Sequence, residues 1–323
     1  MLIYDNKAFD EESRNNYIAL GSFDGLHLGH LSLVRKVKNL AAKNGGKSVV
    51  FTFKNHPRTF INIKNKIELI MTNTEKVKVL QKEGIDILAF KDFDDKMMKM
   101  MPDEFIKWLC ETYKARGIVV GFNFKFGYKN LGDVELLKKF QEEYKYELYV
   151  MEPCKLGSEI ISSTSIRKEL IDGNVKKAFN MLSRPYVLSG KVINGKKLGR
   201  TIGFPTANLE INEKKVIPKK GVYYTNVYVN GKFFKGITSV GNNPTVNGKE
   251  LTVETYILDF SNDIYGKEIN VYFIDRIRDE IKFNNINELI EQLKKDKKFA
   301  EKSSEVNSLR LLNFISSLIL SIK

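Results

Sequence analysis

Two of the three histidines in the chain stand three positions apart inside a glycine-rich segment. The segment reads Gly21-Ser22-Phe23-Asp24-Gly25-Leu26-His27-Leu28-Gly29-His30. At this spacing His27 and His30 share one face of a first helical turn, where free backbone N–H groups and the helix dipole favour phosphate. Two imidazoles there can stabilise the charge that develops when phosphorus is attacked. The segment predicts a phosphoryl-transfer site; surface histidines are the alternative, and a zinc site lacks further Cys or His ligands.

A second glycine-rich segment reads Gly199-Arg200-Thr201-Ile202-Gly203-Phe204-Pro205-Thr206-Ala207-Asn208. Its glycines leave backbone N–H groups free to cradle phosphates. Thr206 and Asn208 are two residues apart, so in an extended segment they face one side and offer oxygen ligands suited to Mg²⁺ beside ATP. The alternative is a β-turn followed by an edge strand. Glu254 stands among apolar strand residues, where a carboxylate is costly unless it is used or paired.

Three further segments carry polar and aromatic groups at the predicted ends of strands or starts of helices. They are Phe51-Thr52-Phe53 with His56-Pro57, Gly121-Phe122-Asn123-Phe124-Lys125-Phe126-Gly127, and Ile161-Ser162-Ser163-Thr164-Ser165-Ile166-Arg167. Asn123 can bind polar atoms of a nucleotide or flavin, and Phe124 and Phe126 can stack on a ring. Ser162, Ser163 and Thr164 open a helix with Arg167 one turn later, which favours phosphate. Core aromatics and an ordinary helix N-cap are the alternatives.

The first half of the chain alternates strand-like and helix-like segments. We predict strands at 17–20, 48–53, 85–90, 117–121 and 147–151, and helices at 28–43, 74–83, 102–113 and 133–144. Such alternation predicts an α/β domain in which helices cover a parallel sheet. Ligands then bind beyond the carboxyl ends of the strands, where the motifs lie.

The second half of the chain changes to short strands separated by turn residues. We predict strands at 186–192, 221–229, 232–240, 251–258 and 268–275, with Asn230-Gly231 as a hairpin turn and a closing helix at 286–298. This pattern is typical of a small β-barrel with a terminal helix. A helix over 165–182, interrupted near Gly173, precedes the barrel. The predicted domains are therefore residues 1–183 and 184–323.

Composition excludes several classes of protein. The chain has 323 residues, a formal net charge of +14 and two cysteines, which excludes disordered, collagenous and disulfide-scaffold classes. Lysine supplies most of the basic residues, so the charge reads mainly as a solvated surface and no nucleic-acid partner is expected. The N-terminus lacks a signal-peptide pattern, which predicts a cytoplasmic protein. The apolar stretch 311–322 predicts a docked terminal helix, because no segment is long enough to span a membrane.

The motifs resemble those of a known family. The pattern GxFDGxHxGH is similar to that of the HxGH nucleotidyltransferases and, in this wording, of the bacterial bifunctional riboflavin kinase/FAD synthetases. The segments at 51–57, 121–127 and 161–167 resemble the strand-then-His-Pro loop, the GxNFxFG motif and the ISSTxIR motif of the same adenylyltransferase module. Residues 199–208 resemble the riboflavin kinase motif GRxxGFPTAN, and residues 277–283 resemble its IRxExKF segment, which borders the flavin site in the family.

The resemblance implies a Rossmann-like adenylyltransferase domain and a riboflavin kinase-like barrel. It implies that ATP and Mg²⁺ phosphorylate riboflavin to FMN, and that FMN then attacks a second ATP to give FAD and pyrophosphate. It places the catalytic base at Glu254, metal ligands at Thr206 and Asn208, and charge-stabilising groups at His27, His30 and Arg167. Binding residues are then Gly21, Phe23, Asp24, Gly25, Gly29, His56, Asn123, Phe126, Ser162, Ser163, Thr164, Gly199, Gly203, Pro205 and Arg278.

Two alternatives stay open beside this interpretation. One is an enzyme in which only one of the two sites is active. The other is a nucleic-acid-binding regulator that uses the +14 charge. The expected partners are riboflavin, FMN and ATP, and the oligomeric state is left open.

Overall fold

The computed structural model describes residues 1–7, 15–61, 67–195, 198–212, 214–245 and 248–303, without the side chains of 243–245 and 248–250. Contacts between residues divide the chain between Ser163 and Thr164 into two compact units. The sequence-based boundary near Ser183 lies later in the chain. Two helices, Ser163–Ile171 and Val175–Leu182, separate the two positions, and the second of them packs on strands of the following unit. The predicted interruption near Gly173 is present between them.

Among the described residues, eight strands and eight α-helices form the first unit and the segment that leaves it. The strands are β1 (Leu2–Asp5), β2 (Asn16–Leu20), β3 (Lys47–Phe53), β4 (Ile87–Lys91), β5 (Ala115–Gly121), β6 (Glu147–Met151), β7 (Lys155–Leu156) and β8 (Glu159–Ile160). The helices are α1 (Leu28–Asn44), α2 (Pro57–Ile61), α3 (Asn73–Glu83), α4 (Asp95–Lys99), α5 (Pro102–Tyr113), α6 (Val134–Lys139), α7 (Gln141–Tyr144) and α8 (Ser163–Ile171).

The first six strands form one parallel sheet, as the alternation of elements predicts. Their order is β1-β4-β3-β2-β5-β6, and every neighbouring pair is parallel. All five residues of β2 are buried, because it lies inside the sheet and carries α1 against it. Helix α5 starts at Pro102, which suits a first helical position, and buries Phe105, Ile106 and Leu109 in the same core.

The strand order reverses direction between β2 and β5. The chain runs from β2 to β3 and then β4 on one side, and returns to β5 on the other side of β2. Crevices beyond the carboxyl ends of strands at such a switch point are where open α/β sheets bind ligands. The glycine–histidine segment follows β2, and the segment with Asn123 follows β5, so the topology brings both to this crevice.

The second unit contains a closed antiparallel barrel, which confirms the predicted architecture. Its elements are α9 (Val175–Leu182), β9 (Tyr186–Ile193), α10 (Leu198–Thr201), β10 (Thr206–Leu209), β11 (Gly221–Val229), β12 (Lys232–Thr245), β13 (Gly248–Ile257), β14 (Glu268–Arg278) and α11 (Ile286–Lys302). The strand order around the barrel is β10-β13-β12-β11-β14-β9, with β9 also paired to β10. Helix α11 packs outside the barrel, where Ala300 joins Tyr224, Ile237 and Ile274.

The predicted hairpin turn is present between β11 and β12. Asn230 and Gly231 have φ values of 50° and 79°, as a two-residue turn of type I′ requires of both central positions. Val229 pairs with Lys232 directly across the turn.

Several elements differ from the sequence-based prediction. Strands β1, β7, β8 and β10 were not predicted, because each has only two to four residues and too little periodicity. The predicted helix 133–144 is two helices, α6 and α7. Strand β12 continues through Gly241 and Asn242, which favour turns locally, because β13 supplies hydrogen-bond partners along its length. The apolar stretch 311–322 lies outside the described residues, among which no helix meets the length and apolarity needed to cross a membrane.

Candidate active sites

The loop after β2 has a conformation that glycine and buried side chains together impose. Gly25 has a φ of 87°, and a Cβ added there would lie 3.1 Å from Cγ2 of Ile70. Phe23 and Leu26 are fully buried at φ values of 49° and 39°, a left-handed conformation that costs non-glycine residues energy. Such strain persists only when the surroundings hold it, so the sequence here is adapted to one loop shape.

The two histidines lie at the end of this loop and touch each other. His27 is the N-cap of α1, and its Nδ1 accepts the backbone N–H of His30 at 3.3 Å. Their rings stack with centroids 3.7 Å apart, and the ring of Phe23 meets His30 edge-on at 5.2 Å. His27 is 5% exposed. Because Nδ1 is an acceptor, the proton of neutral His27 lies on Nε2, where it can be donated to a ligand.

Asp24 has a structural role that the sequence did not reveal. Its buried carboxylate accepts the N–H of Ile70 at 3.0 Å and of Met71 at 3.2 Å. These residues lead into α3, which begins with a capping box between Thr72 and Glu75. Asp24 therefore ties the loop after β2 to the start of α3. Its predicted role in binding the substrate stays a prediction.

The serine-rich motif reaches the same loop from the far end of the first unit. Ser163 Oγ donates to the carbonyl of Asp24 at 2.8 Å, across 139 positions of sequence. Ile161 is buried beside this contact, and its carbonyl lies 3.8 Å from where a Cβ on Gly29 would stand. Ser162 is next to this contact, while Thr164 and Arg167 lie further along α8. The serine-rich motif and the glycine–histidine segment are thus far apart in sequence but in contact in the structure.

The segment after β5 divides between ligand-accessible and core side chains. Asn123 is exposed at the carboxyl end of the strand, in a turn closed by Phe124 N–H and the Gly121 carbonyl at 3.0 Å. Phe126 is 6% exposed and packs between Phe105 and Phe124, with ring centroids 5.5 and 5.7 Å away. Phe126 therefore lies in the core, and its predicted ring-stacking role stays a prediction. Phe124 beside it is half-buried, and Phe122 at the end of β5 is exposed.

The loop after β3 carries His56, and the neighbouring Asn55 holds this loop through hydrogen bonds to the backbone of Phe93. Asn55 both donates to the carbonyl of Phe93, at 2.9 Å, and accepts its N–H, at 2.8 Å. His56 Nδ1 accepts the N–H of Arg58 at 3.2 Å, which again leaves Nε2 as the proton-bearing nitrogen of the neutral ring. The side chain lies at the carboxyl edge of β3, the strand adjacent to β2.

One buried cation beside the loop was missed by the sequence interpretation. Lys76 on α3 is 4% exposed, and its Nζ donates to the carbonyl of Ser22 at 3.0 Å and to Oγ1 of Thr52 at 3.3 Å. Burial lowers the pKa of Lys76 to about 8, and the charge of Asp24 opposes this shift. The available signal was helical spacing, because Lys76 shares a face with buried Val79 and Leu80.

The barrel brings three predicted residues to one face of two strands. Thr206 Oγ1 donates to Glu254 Oε2 at 3.3 Å. Asn208 lies directly opposite Glu254 in the antiparallel pair β10–β13, so the two side chains share a face. A Cβ on Gly195 would overlap the amide of Asn208, which shows how closely the chain covers this site. A carboxylate, a hydroxyl and an amide oxygen therefore converge there.

The glycine-rich turn of the second motif closes tightly before β10. Phe204 N–H donates to the carbonyl of Gly199 at 2.8 Å, and Gly203 has a φ of 81°. Beside this turn lies a cavity of about 450 Å³, within the range of small-molecule sites. Residues lining it include Arg200, Pro205, Thr206, Thr255, Asp263 and Tyr265. Thr206 thus belongs both to the cavity wall and to the contact with Glu254.

Arg278 is engaged by the protein itself. Its Nη2 donates to Oδ2 of Asp296 at 2.7 Å, and its Nε lies 3.1 Å from both carboxylate oxygens. The Arg278 side chain is 16% exposed and that of Asp296 only 1%. This pair joins β14 to α11, so the predicted binding role of Arg278 would have to be shared with a structural one.

Comparison with known proteins identifies both units. A family model for FAD synthetase matches residues 9–165, and one for riboflavin kinase matches residues 182–304. Curated relatives named bifunctional riboflavin kinase/FMN adenylyltransferase include one from Listeria monocytogenes, 36% identical over 87% of this chain and 90% of the relative. Another, from Bacillus subtilis, is 34% identical over 90% of this chain and 93% of the relative.

A solved structure supports the fold of the whole chain. The crystal structure of a Streptococcus pneumoniae protein, named there as a macrolide-efflux protein, is 33% identical and has a TM-score of 0.86. The alignment covers 94% of this chain and 100% of that one. Its efflux name matches neither family model, so the likeness concerns the fold. From the two family models and the curated relatives, the chain belongs to the family of bifunctional riboflavin kinase/FMN adenylyltransferases.

Proposed function

We propose that the two units catalyse successive steps of flavin cofactor synthesis. In the barrel, the γ-phosphoryl group of ATP passes to the ribityl 5′-hydroxyl of riboflavin, which gives FMN and ADP. In the parallel-sheet unit, a phosphate oxygen of FMN attacks the α-phosphorus of a second ATP, which gives FAD and pyrophosphate. The convergence of Thr206, Asn208 and Glu254 is the observation that carries the kinase assignment, because motifs far apart in sequence meet there.

In the kinase step, Glu254 is the base. Its carboxylate accepts the proton of the attacking hydroxyl as the oxygen–phosphorus bond forms, and ADP leaves with the bonding electrons. The hydroxyl of Thr206 donates to Glu254 and orients it. The cavity beside Thr206 is large enough for part of a nucleotide, and Arg200 on its wall offers a positive charge to phosphates.

The residues present fit Mg²⁺ bound together with ATP. Among the described residues, no cluster of three His, Cys, Asp or Glu side chains is placed to hold a metal. Mg²⁺ at nucleotide sites takes one or two protein ligands and completes its shell with phosphates and water. Thr206 and Asn208 would hold it, and the ion would neutralise charge on the phosphates. Glu254 offers a further oxygen atom on the same face, and oxygen atoms are the ligands that Mg²⁺ prefers.

In the adenylyl transfer step, the chain supplies position and charge rather than a covalent group. His27 presents Nε2–H, and His30 stacks on it, at the start of α1. Both would stabilise the α-phosphoryl oxygens as five bonds form at phosphorus, with Arg167 acting on the pyrophosphate. Asn123 and Phe124 beyond β5 would hold FMN across the switch point of the sheet. No covalent enzyme intermediate is needed, because positioning and electrostatics carry phosphoryl transfer.

We place the reaction in the cytoplasm. Both proposed steps consume ATP, and Cys110 and Cys154 are free thiols, as in a reducing compartment.

A product assay tests the proposal. The purified chain is incubated with riboflavin, ATP and Mg²⁺, and FMN and FAD are resolved by chromatography; a second reaction starts from FMN. We expect FMN and then FAD in the first reaction, FAD alone in the second, and neither after Mg²⁺ is chelated. If riboflavin gave FMN but neither reaction gave FAD, only the kinase activity would remain supported. Tight binding to RNA or DNA that weakens with salt, without turnover, would favour the regulator instead.

The variant Glu254→Gln tests the base in the barrel. The amide keeps the shape and can still meet Thr206, but it cannot take a proton. We expect the rate of FMN formation to fall by at least about a hundredfold, while FAD formation from supplied FMN is unchanged. Glu268→Gln, on an exposed position of β14, is the matched control. A wild-type rate of FMN formation in Glu254→Gln would rule out this role.

A further inference from the structure

We propose that Lys76 is a positioning residue for adenylyl transfer, whose ammonium group fixes the Ser22 carbonyl and with it the loop that presents His27 and His30. The inference rests on the proposed adenylyl transfer in the first unit. Ser22 lies between β2 and the left-handed residues Phe23 and Leu26. The direction of its carbonyl therefore sets the direction in which the loop leaves the strand. Lys76 reaches this carbonyl at 3.0 Å from α3.

Three groups from three elements meet at this point, which we call the Ser22 clamp: the Ser22 carbonyl, the Thr52 hydroxyl and the Lys76 ammonium. Thr52 Oγ1 donates to the Ser22 carbonyl at 3.0 Å and lies 3.3 Å from Lys76 Nζ. Thr52 is fully buried on β3, the strand beside β2. The Ser22 clamp therefore connects the loop to β3 and α3 through hydrogen bonds in the protein interior.

The charge of Lys76 is also accounted for locally. Asp24, buried in the same loop, attracts it, and the ring of Phe90 on β4 lies 5.9 Å from Nζ. Burying an ammonium group costs energy that an apolar side chain of the same length would avoid. A lysine here gains donors that reach the Ser22 carbonyl and the Thr52 hydroxyl, and its charge is attracted by Asp24, whose carboxylate accepts the N–H groups of Ile70 and Met71.

The Lys76 ammonium bonds to the Ser22 carbonyl and the Thr52 hydroxyl rather than to a histidine, so its effect on the reaction must pass through the loop. Misplacing a catalytic group by about 1 Å can cost about a hundredfold in rate. A loop released at Ser22 would let His27 and His30 move relative to the phosphorus. This predicts a loss in kcat rather than in substrate binding.

The experiment compares Lys76→Met with Lys78→Met, an exposed lysine on the same helix. FAD formation from FMN, FMN formation from riboflavin and tryptophan fluorescence are measured on each full chain. Trp108 is the single tryptophan and packs, partly buried, against the core of the first unit, so its emission reports whether that unit is folded. For Lys76→Met we expect kcat of FAD formation to fall at least about tenfold, with KM values within about threefold, native Trp108 emission and unchanged FMN formation. Lys78→Met should match the wild type.

A wild-type kcat in folded Lys76→Met would overturn the inference and leave the proposed function intact. Absence of FAD formation in the wild type would overturn the proposed function itself. If Trp108 shows that Lys76→Met is unfolded at the assay temperature, Thr52→Val decides, because valine keeps the shape and removes one member of the Ser22 clamp. A severalfold lower kcat of FAD formation in Thr52→Val supports the inference, and an unchanged kcat overturns it.

Discussion

At the scale of single residues, His27 has an observed role as the cap of α1 and a proposed role in the reaction. Its Nδ1 caps α1 by accepting the N–H of His30, and its other nitrogen faces away from that bond. A cap stabilises a helix by about 1 kcal/mol, and a phosphate-binding imidazole affects only the reaction. The two contributions can be separated, because asparagine is a good N-cap and carries no imidazole.

The His27 variants are expected to differ in stability but not in activity. His27→Asn keeps the cap, so its free energy of unfolding should lie within about 0.5 kcal/mol of wild type, whereas His27→Ala should lose about 1 kcal/mol. Both should lose about a hundredfold in kcat of FAD formation and retain FMN formation. Denaturant unfolding followed by Trp108 and the product assay measure these quantities. Wild-type FAD formation by His27→Asn would show that His27 serves only the helix.

The lowered pKa of Lys76 also predicts how the stability of the first unit depends on pH. Its pKa is about 8 in the folded chain, against an ordinary 10.5, so between these values the unfolded state binds more protons. Stability therefore rises with pH across this window, and the burial cost is fully present below pH 8. The free energy of unfolding of wild type relative to Lys76→Met should increase by up to about 3 kcal/mol from pH 8 to 10.5.

Denaturant titrations at several pH values, followed by Trp108 fluorescence, measure this difference. Lys78→Met is the control, since that lysine is exposed and should show no such trend relative to wild type. A constant difference between wild type and Lys76→Met across the window would mean that Lys76 is not held in a desolvated site.

At the scale of elements, the attachment of α11 to the barrel depends on one ion pair. Asp296 is almost fully buried and receives bonds from Arg278 on β14 and from Gln292 one turn earlier on α11, at 2.9 Å. A buried charge whose partner is removed costs about 3 to 5 kcal/mol, while exposed pairs contribute less than about 1 kcal/mol. Lys294 and Glu291 form such an exposed pair on the same helix.

Arg278→Ala should therefore loosen α11, and Lys294→Ala should not. We expect amide hydrogen exchange in α11 to speed up by about a hundredfold in Arg278→Ala, because about 3 kcal/mol of local stability is lost. Mass spectrometry of peptides from residues 286–302 gives the rates. Equal exchange in the two variants would indicate that hydrophobic contacts alone, such as that of Ala300, hold the helix.

At the scale of the whole molecule, two compact units each carry one of the two glycine-rich motifs that predict phosphate binding. One is built at the switch point of a parallel sheet and the other on adjacent antiparallel strands of a barrel. The product of the proposed kinase step is the substrate of the proposed transfer step. Since each unit has its own core and its own motifs, the two activities should be separable in different chains.

A mixture of two inactivated chains tests this separation. Chains carrying His30→Ala should stop at FMN, and chains carrying Glu254→Gln should make FAD only from supplied FMN. Mixed in equal amounts with riboflavin and ATP, they should form FAD after a lag, because FMN released by the first is used by the second. Chromatographic time courses show the lag. No FAD from the mixture, while each chain performs its remaining step, would mean that FMN is not exchanged through solution.

Much of the architecture followed from local patterns. Helix α5 and strand β6 occur within the predicted limits, because their apolar spacing and terminal signals are strong. Strand β10 could not be predicted, because a four-residue strand after Pro205 gains its hydrogen bonds from β9 and β13. For Phe126 the sequence left open a ring that stacks on a ligand and a core aromatic, and only the packing of Phe105 and Phe124 against it shows that it lies in the core.

By itself, the sequence determined which residue types and spacings exist for phosphate chemistry, and which local elements carry them, since periodicity and glycine placement act over a few residues. Only the tertiary structure decided that Ser163 meets the Asp24 carbonyl, that Thr206 meets Glu254, and that Lys76 lies under Ser22. These contacts join positions 48 to 139 residues apart, and no local pattern specifies them. Strand order and close packing bring them together, because buried polar groups must find partners wherever the fold places them.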